Sequence, residues 1–312
     1  MWVKKMIKKR PSLYKIAKVN YAMLKGYYPI MLGDYPLNPI SRYGFANPPH
    51  SKLHAIINKN RSRYKSKLEQ FLSLKEYFSC IPVRKPRNSE EPHWLNGWVP
   101  GLDCVSLYSF LCLNNPKKYY EVGSGNSTKF VRKAIMNHNL QTKITSIDPN
   151  PRTEIDSICD TIIRRPLEQV DLSIFDKLRA NDVLFIDGSH RCFTNSDVTV
   201  TFLDILPRLS AGVLVGFHDI MLPYDYPPDW REYHFSEQYL LAVSLLAEST
   251  KFDIILPAFF VSKDSELNNV LTPIWEKLQK KISAHEREEY SKSRGWSFCS
   301  WSDGWSFWIQ TK

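Results

Sequence analysis

The chain has 312 residues, 43% of them hydrophobic and 24% charged, with 12 glycines and 20 prolines. That composition excludes wholesale disorder and fibrous repeats, and the length suits one α/β domain of about 200 residues plus an appendage. The formal charge of +10 at pH 7 is uneven: residues 1–100 hold 19 basic and 5 acidic residues, a balance of +14, whereas residues 101–312 hold 23 and 27, a balance of −4. A basic excess confined to one third of the chain gives no reason to expect nucleic acid at a site built from the rest.

Residues 1–33 contain eight Lys or Arg and no acid. A helix after Pro11 would gather Leu13, Ile16, Ala17 and Leu24 on one stripe and leave Lys15, Lys18 and Lys25 largely off it. Two readings stay open for residues 1–25: a solvated helix packed on the domain, or an arm resting on an anionic membrane surface. The segment lacks the apolar run and small-residue cleavage site of a signal peptide. Residues 34–54 form a Pro-rich connector. Helical spacing returns over residues 52–79 through Leu53, Ile56, Ile57, Tyr64, Leu68, Phe71 and Leu72. A second Pro-rich stretch, residues 81–92, ends a basic, mainly helical extension over residues 1–93.

From residue 94 the expected domain is doubly wound, with a mostly parallel, Rossmann-like sheet. Strands are expected at 119–122, 144–147, 161–163, 183–186 and 213–217, with helices starting near Ser127, Pro151, Leu167, Asn195 and Ser236. Alternation of this kind places helices on both faces of a parallel sheet, and such sheets bind ligands beyond the carboxyl ends of their strands. No stretch reaches the roughly 18 apolar residues needed to span a bilayer. The six cysteines show no CxxC pair and fit a reduced, cytoplasmic protein.

The first strand runs through Glu121 and Val122 into Gly123-Ser124-Gly125 and then a helix opening with Asn126 and Ser127. The glycines permit a tight turn and close approach of a ligand, and the helix start offers free N–H groups. Asp148, at the end of the second strand, is placed to accept hydrogen bonds from ribose hydroxyls. A nicotinamide site prefers a third small residue, G-x-G-x-x-G/A, where this chain has Thr128.

Strands four and five end in Asp187-Gly188-Ser189-His190 and in His218-Asp219. Neighbouring strands lie about 4.8 Å apart, so Asp187 and Asp219 would meet at the rim, where with His218 they suit a divalent cation. His190 is an imidazole beside that rim and a candidate general base. Tyr224, Asp225, Tyr226 and Trp230 follow. Aromatic rings interspersed with carboxylates, Glu237 among them, suit carbohydrate, so this stretch is expected to line an acceptor site; a packed surface loop is the alternative.

The segments VGSGNST, SIDPNP, FIDGSH, LPRLSAGVLVGFHDI and SEQYLL resemble the class I S-adenosylmethionine (SAM) methyltransferases often encoded with bacterial polysaccharide genes. More distantly they are similar to metal-dependent macrolide-sugar O-methyltransferases and to cephalosporin-hydroxylase-like proteins. The resemblance covers residues 94–263 and resumes at 304–309, where SFWI would form the last strand. It implies SAM as cofactor, with Glu121, Gly123, Ser124 and Gly125 around its methionine part, Asp148 on the ribose and Leu167 beside the adenine. It implies a sugar or glycan hydroxyl as acceptor, Asp187 and His190 as metal ligand and base, and Mg²⁺ or another divalent cation at Asp187 and Asp219. His218 stands where the macrolide enzymes carry Glu, which leaves the identity of the metal open. The competing readings are a nicotinamide oxidoreductase or hydroxylase-like enzyme on the same scaffold, and a non-catalytic glycan- or membrane-binding protein.

Overall fold

The computed structural model describes residues 40–247, 250–286 and 302–312, together with 20, 21 and 24. The expectation for the basic arm therefore lies outside the described residues, apart from those three positions. The chain divides into two compact units, Met1–Ile40 and Ser41–Lys312, and the second contains the whole seven-stranded sheet.

Three helices open this unit: α1 (Ser51–Asn58), α2 (Arg61–Leu72) and α3 (Lys75–Ser79). They form where the spacing predicts helix, and Tyr64, Leu68 and Phe71 are buried at the i, i+4, i+7 positions of one α2 face. Phe71 meets Phe110 edge-on at 5.1 Å between centroids, so this face packs into the same core as the sheet. The compact unit that holds the sheet thus begins at Ser41.

Helix α4 (Gly101–Asn114) follows, buried from Gly101 to Leu111. Sequence periodicity misses it because it is apolar on nearly every side and carries no stripe. The sheet then alternates with α5 (Asn126–Asn137) as β1 (Lys118–Val122), β2 (Lys143–Ile147), β3 (Thr161–Ile163), β4 (Val183–Ile186) and β5 (Leu214–Phe217). After β4 a short helix α6 (Asp197–Val200) runs on into π and 3-10 turns. Helix α7 (Glu237–Leu246), strand β6 (Phe252–Pro257), helices α8 (Ala258–Lys263), α9 (Ser265–Asn269) and α10 (Thr272–Gln279), and strand β7 (Phe307–Thr311) complete the described elements.

The strand order is β3-β2-β1-β4-β5-β7-β6. β1 through β5 are parallel, while β7 inserts antiparallel to β5 and β6. This is the expected doubly wound sheet. Central strands β4 and β5 are buried at every position, as strands covered by helices on both faces must be. Two expected helices shrink to single 3-10 turns, at Asp156–Ile158 and Leu167–Gln169.

The topology fixes where a ligand can sit. β1 connects outward to β2 on one side and pairs with β4 on the other, so the switch point lies between β1 and β4.

Candidate functional site

Register lines up the strand ends. Val122 is opposite Ile147 and Ile186, and Ile186 is opposite Phe217. One residue further the ladder continues: Gly123 N–H donates to Ile147 (3.0 Å), Asp187 N–H to Val122 (2.8 Å) and His218 N–H to Ile186 (2.8 Å). Gly123, Asp148, Asp187 and His218 therefore form one row along the carboxyl edge, each the first residue past its strand.

A cavity of about 330 Å³ lies under the β1 end of this row. Its lining includes Gly123, Ser124, Gly125, Asn126, Ser127, Asp148 and Leu167, all expected at a cofactor site. Gly123 has φ of +79°, in the region that favours glycine. Glu121 does not line the cavity. It is fully buried beneath the loop, where its carboxylate accepts from the Thr128 hydroxyl (2.5 Å), which in turn accepts from the Gly125 N–H (3.0 Å). Burial pushes the Glu121 carboxyl up to about 8, against the hydrogen bonds of Ser127 and Thr128. Its place is one layer below any ligand, shaping the loop. Asp148 accepts from Ser124 N–H (2.9 Å) and Asn150 N–H (2.8 Å), which fixes its carboxylate at the cavity wall.

A second cavity, of about 480 Å³, opens at the β4 and β5 ends. Asp187, Gly188, Ser189, Trp98 and Arg152 line both cavities, so the two adjoin along the Asp187–Ser189 segment. Asp187, His190, His218 and Asp219 form one wall of the second cavity, and Trp230, Tyr233, Phe235 and Trp305 supply aromatic surface.

His190 and Asp219 both hold left-handed backbone, with φ of 58° and 54°. Non-glycine residues adopt this region at a cost that the surrounding structure must offset, and such positions cluster at functional sites. At His190 the offset is visible: its carbonyl accepts from Ser236 N–H (2.8 Å) and Glu237 N–H (3.1 Å), the first donors of α7. The ring is held as firmly. Nδ1 pairs with Glu237 Oε2 at 2.9 Å, while Nε2 lies 3.3 Å from Asp187 Oδ1 and 3.4 Å from Asp219 Oδ2.

Burial opposes charge on His190, but the Asp187, Asp219 and Glu237 carboxylates outweigh it and push the imidazole up to about 10. Burial likewise opposes ionisation of Asp187, yet His218 and His190 hold its carboxyl well below the usual range. Asp219 and Glu237 are raised by burial. The His190 linkage has a definite sign. Its folded value lies above the unfolded value of about 6.5, so its stabilisation is complete below that pH and is lost as pH rises through about 10. Thermal denaturation of the metal-free protein should therefore show Tm falling across that window, with a flatter profile for His190→Gln.

His218 is buried between carboxylates. Nδ1 lies 3.2 Å from Asp187 Oδ1 and 3.3 Å from Asp219 Oδ1; Nε2 lies 3.3 Å from Asp103 Oδ2. None of these approaches is aligned as a hydrogen bond, and both His218 nitrogens and Asp219 Oδ1 are buried without a hydrogen-bond partner. Converging donor atoms with no proton geometry between them fit a cation. Asp187, His218 and Asp219 are the group of three among the described residues whose ligand atoms lie within 4.8 Å of one another.

Sequence reasoning misses the roles of Asp103 and Glu237. Asp103, fully buried in the first turn of α4, accepts from Trp305 N–H (2.7 Å), Ser306 N–H (2.9 Å) and Ser306 Oγ (2.5 Å). Glu237, expected among the sugar-binding acids of the aromatic stretch, is instead buried at the start of α7 against His190. In sequence Asp103 lies in an apolar stretch that carries no stripe, and Glu237 closes the aromatic stretch. Nothing local distinguishes them.

Of the four residues expected to meet an acceptor, Trp230 lines the second cavity and Tyr224, Asp225 and Tyr226 do not. Asp225 accepts from the backbone N–H of Arg42 (2.6 Å) and Tyr43 (3.0 Å). The Tyr226 hydroxyl accepts from Gln238 N–H (3.2 Å), and its ring packs on Trp230. Tyr224 packs on Phe259. The alternating polar and aromatic pattern here satisfies the chain's own backbone and a small aromatic cluster.

Residues 120–220 match the family model described as a methyltransferase domain, a third of the chain that runs from β1 to just past β5. No curated protein matches. Among solved structures, the chain is similar to the S-adenosylhomocysteine (SAH)-bound Podospora anserina methyltransferase PaMTH1, at 16% identity over 72% of this chain and 96% of that one, with a TM-score of 0.36. It is similar to the plantazolicin methyltransferase BpumL in complex with SAH, at 12% identity over 83% and 99%, TM-score 0.39. A third is an O-methyltransferase from Bacillus cereus in complex with SAH, at 11% identity over 86% and 94%, TM-score 0.30. Likenesses at this level assign the chain neither ligand nor acceptor.

Proposed function

We propose that this protein is a SAM-dependent O-methyltransferase acting on a sugar or glycan hydroxyl. The carrying observation is the shared wall: the glycine-loop cavity and the carboxylate–histidine cavity adjoin along Asp187–Ser189. The family match over residues 120–220 supports the methyltransferase reading. The sulfonium of SAM supplies an already activated methyl group. The chain then has two tasks: to orient acceptor against cofactor, and to remove the hydroxyl proton.

Gly123, Ser124 and Gly125 would hold the methionine portion, Asp148 the ribose and Leu167 the adenine. Tyr233 and Phe235 offer aromatic surface to the acceptor in the adjoining cavity, backed by the buried Trp230 and Trp305. His190 is the base. Its Nδ1 is committed to Glu237, which leaves Nε2 to take the proton. His190 can do so near neutral pH only once the charge on Asp187 and Asp219 is offset, because two uncompensated carboxylates keep it protonated.

Asp187, His218 and Asp219 would hold the cation, which supplies Lewis acidity favouring the alkoxide. A donor set of two carboxylates and an imidazole suits Mn²⁺, Co²⁺ or Zn²⁺ better than Mg²⁺. Asp103 lies behind His218, with Oδ2 3.3 Å from Nε2, on the side of the ring opposite Nδ1. Asp103→Asn should weaken Mn²⁺ binding, followed by calorimetry, by about 10–100-fold with SAH affinity preserved; unchanged Mn²⁺ affinity would remove Asp103 from the metal site's support.

Transfer of tritium from methyl-labelled SAM to a panel of mono- and oligosaccharides tests the function. Label in base-stable methyl ethers is expected. SAH binding without transfer to any sugar would refute the sugar hydroxyl as acceptor. The basic arm, residues 1–25, is proposed to bring the enzyme to an anionic membrane face.

A further inference from the structure

The acceptor cavity carries two guanidinium groups that the reaction does not use. Arg191 follows His190 directly. Its Nε donates to the Tyr233 carbonyl (2.8 Å), its Nη1 to the Ser189 carbonyl (3.0 Å), and its guanidinium lies over Phe235 at 5.3 Å from the ring centroid. Arg152 reaches in from the segment after β2 and lies over Trp98 at 4.3 Å. Both arginines line the second cavity.

Neither is in an ion pair with a carboxylate of the described residues, although other arginines, such as Arg61 with Asp264 and Glu266, are. The two are also near enough to affect one another: burial lowers the Arg191 pKa, the Asp197 carboxylate opposes that shift, and the charge of Arg152 adds to it. The acids of the cavity are committed elsewhere. Asp187 and Asp219 face His190 and His218, and Glu237 is buried behind His190. Asp197, the carboxylate that acts on Arg191, accepts from the Ser189 N–H (2.6 Å) and hydroxyl (2.5 Å). One side of the cavity thus holds clustered acid and imidazole, and another holds two guanidinium groups without an ion pair among the described residues.

We propose that the acceptor is acidic, and that a carboxylate or phosphate group on it binds between Arg152 and Arg191 while a nearby hydroxyl reaches His190. This rests on the sugar-hydroxyl reading of the acceptor and narrows it. Guanidinium groups suit this task because their planar forks match oxyanions and their faces stack on rings. Anchoring of Arg191 by two backbone carbonyls restricts the side chain before any ligand arrives, which lowers the ordering cost of binding. Arg152, Arg191 and His190 line the same cavity, so the anionic group is expected on the methylated sugar or the one next to it. The anion also fixes which hydroxyl meets the base.

The test is calorimetric titration of the full chain, with and without SAH, using D-glucuronate, D-glucose 6-phosphate and D-glucose. At least one anionic probe should bind at least tenfold more tightly than glucose. Glucuronate as the better probe assigns a carboxylate, and glucose 6-phosphate a phosphate. Arg152→Ala, an exposed change unlike any in the core, should reduce the preference at least threefold. The double variant Arg152→Ala/Arg191→Ala should bring all three probes within twofold. Arg191→Lys keeps charge and loses the fork, and should fall between wild type and the double variant if the double variant folds poorly.

Equal binding of the three sugars, or no binding of either anionic probe, overturns the proposal. So does a preference that survives in a folded double variant. A tenfold loss of SAH affinity in Arg152→Ala, with the sugar preference intact, would assign that arginine to the cofactor and also overturn it. Failure of the wild-type protein to bind SAH counts against the methyltransferase reading alone, since the sugars are compared in its absence as well.

Discussion

His190→Ala is expected to lower methyl transfer by about 10²–10⁴-fold, the usual contribution of a positioned general base, and to leave SAH affinity within twofold. The ring lies in the acceptor cavity and is not among the residues lining the cofactor cavity, so cofactor binding has no direct contact to lose. Single-turnover transfer from methyl-labelled SAM separates this from a binding defect. The pH profile carries the same assignment further. In metal-free protein, where Asp187, Asp219 and Glu237 hold the imidazole up to about 10, residual activity should rise with pH toward that value. Adding Mn²⁺ should move the rise toward neutrality. Full activity in His190→Ala, or a profile indifferent to the metal, would take the base role away from this residue.

Gly123→Ala is expected to be the most damaging single-methyl change in the glycine loop. A Cβ at this position would stand 1.8 Å from the Asp187 carbonyl oxygen and 2.6 Å from its carbon, and the backbone φ of +79° already disfavours any side chain. The obstructing atoms belong to the backbone of β4's end, so no rotamer change relieves them. The loop must move away from Asp187, and with it the wall between the two cavities. A destabilisation of about 3 kcal/mol or more follows from overpacking and backbone strain together, read as a lower Tm, with SAH affinity falling by at least tenfold. Gly125→Ala is the control: its Cβ would meet only Thr153 Cγ2 at 3.7 Å, an ordinary contact, and it should fold normally.

The parts of this protein that are legible in its sequence are those with local causes. Strand ends followed by glycine or acid, at GSG, IDP, IDGSH and FHD, announce a parallel sheet, the strands lie where those signals put them, and two cavities open at their carboxyl edge. The meeting of Asp187, His218 and Asp219 is readable too, because parallel neighbours must bring successive strand ends together. What fails to show depends on contacts distant in sequence. Asp103 and Ser306 are joined across the domain, and Glu237 reaches His190 across 47 positions. Asp225 misleads for the same reason: its partners, the backbone groups of Arg42 and Tyr43, are invisible from the local pattern. Helix α4 escapes because complete burial erases the amphipathic stripe by which helices are recognised.

Charge teaches a similar lesson. The whole-chain value of +10 hints at nucleic acid, whereas the cavity chemistry is carried by acids, histidines and two arginines in a region of net negative charge. Position, not sum, decides what a charge recognises.

The glycine-loop cavity is proposed to take SAM. Calorimetric titration of the full chain with SAH and, separately, with NAD⁺ tests it most directly. One equivalent of SAH should bind, with no heat from NAD⁺. Binding of NAD⁺ in place of SAH, or of neither, would contradict it.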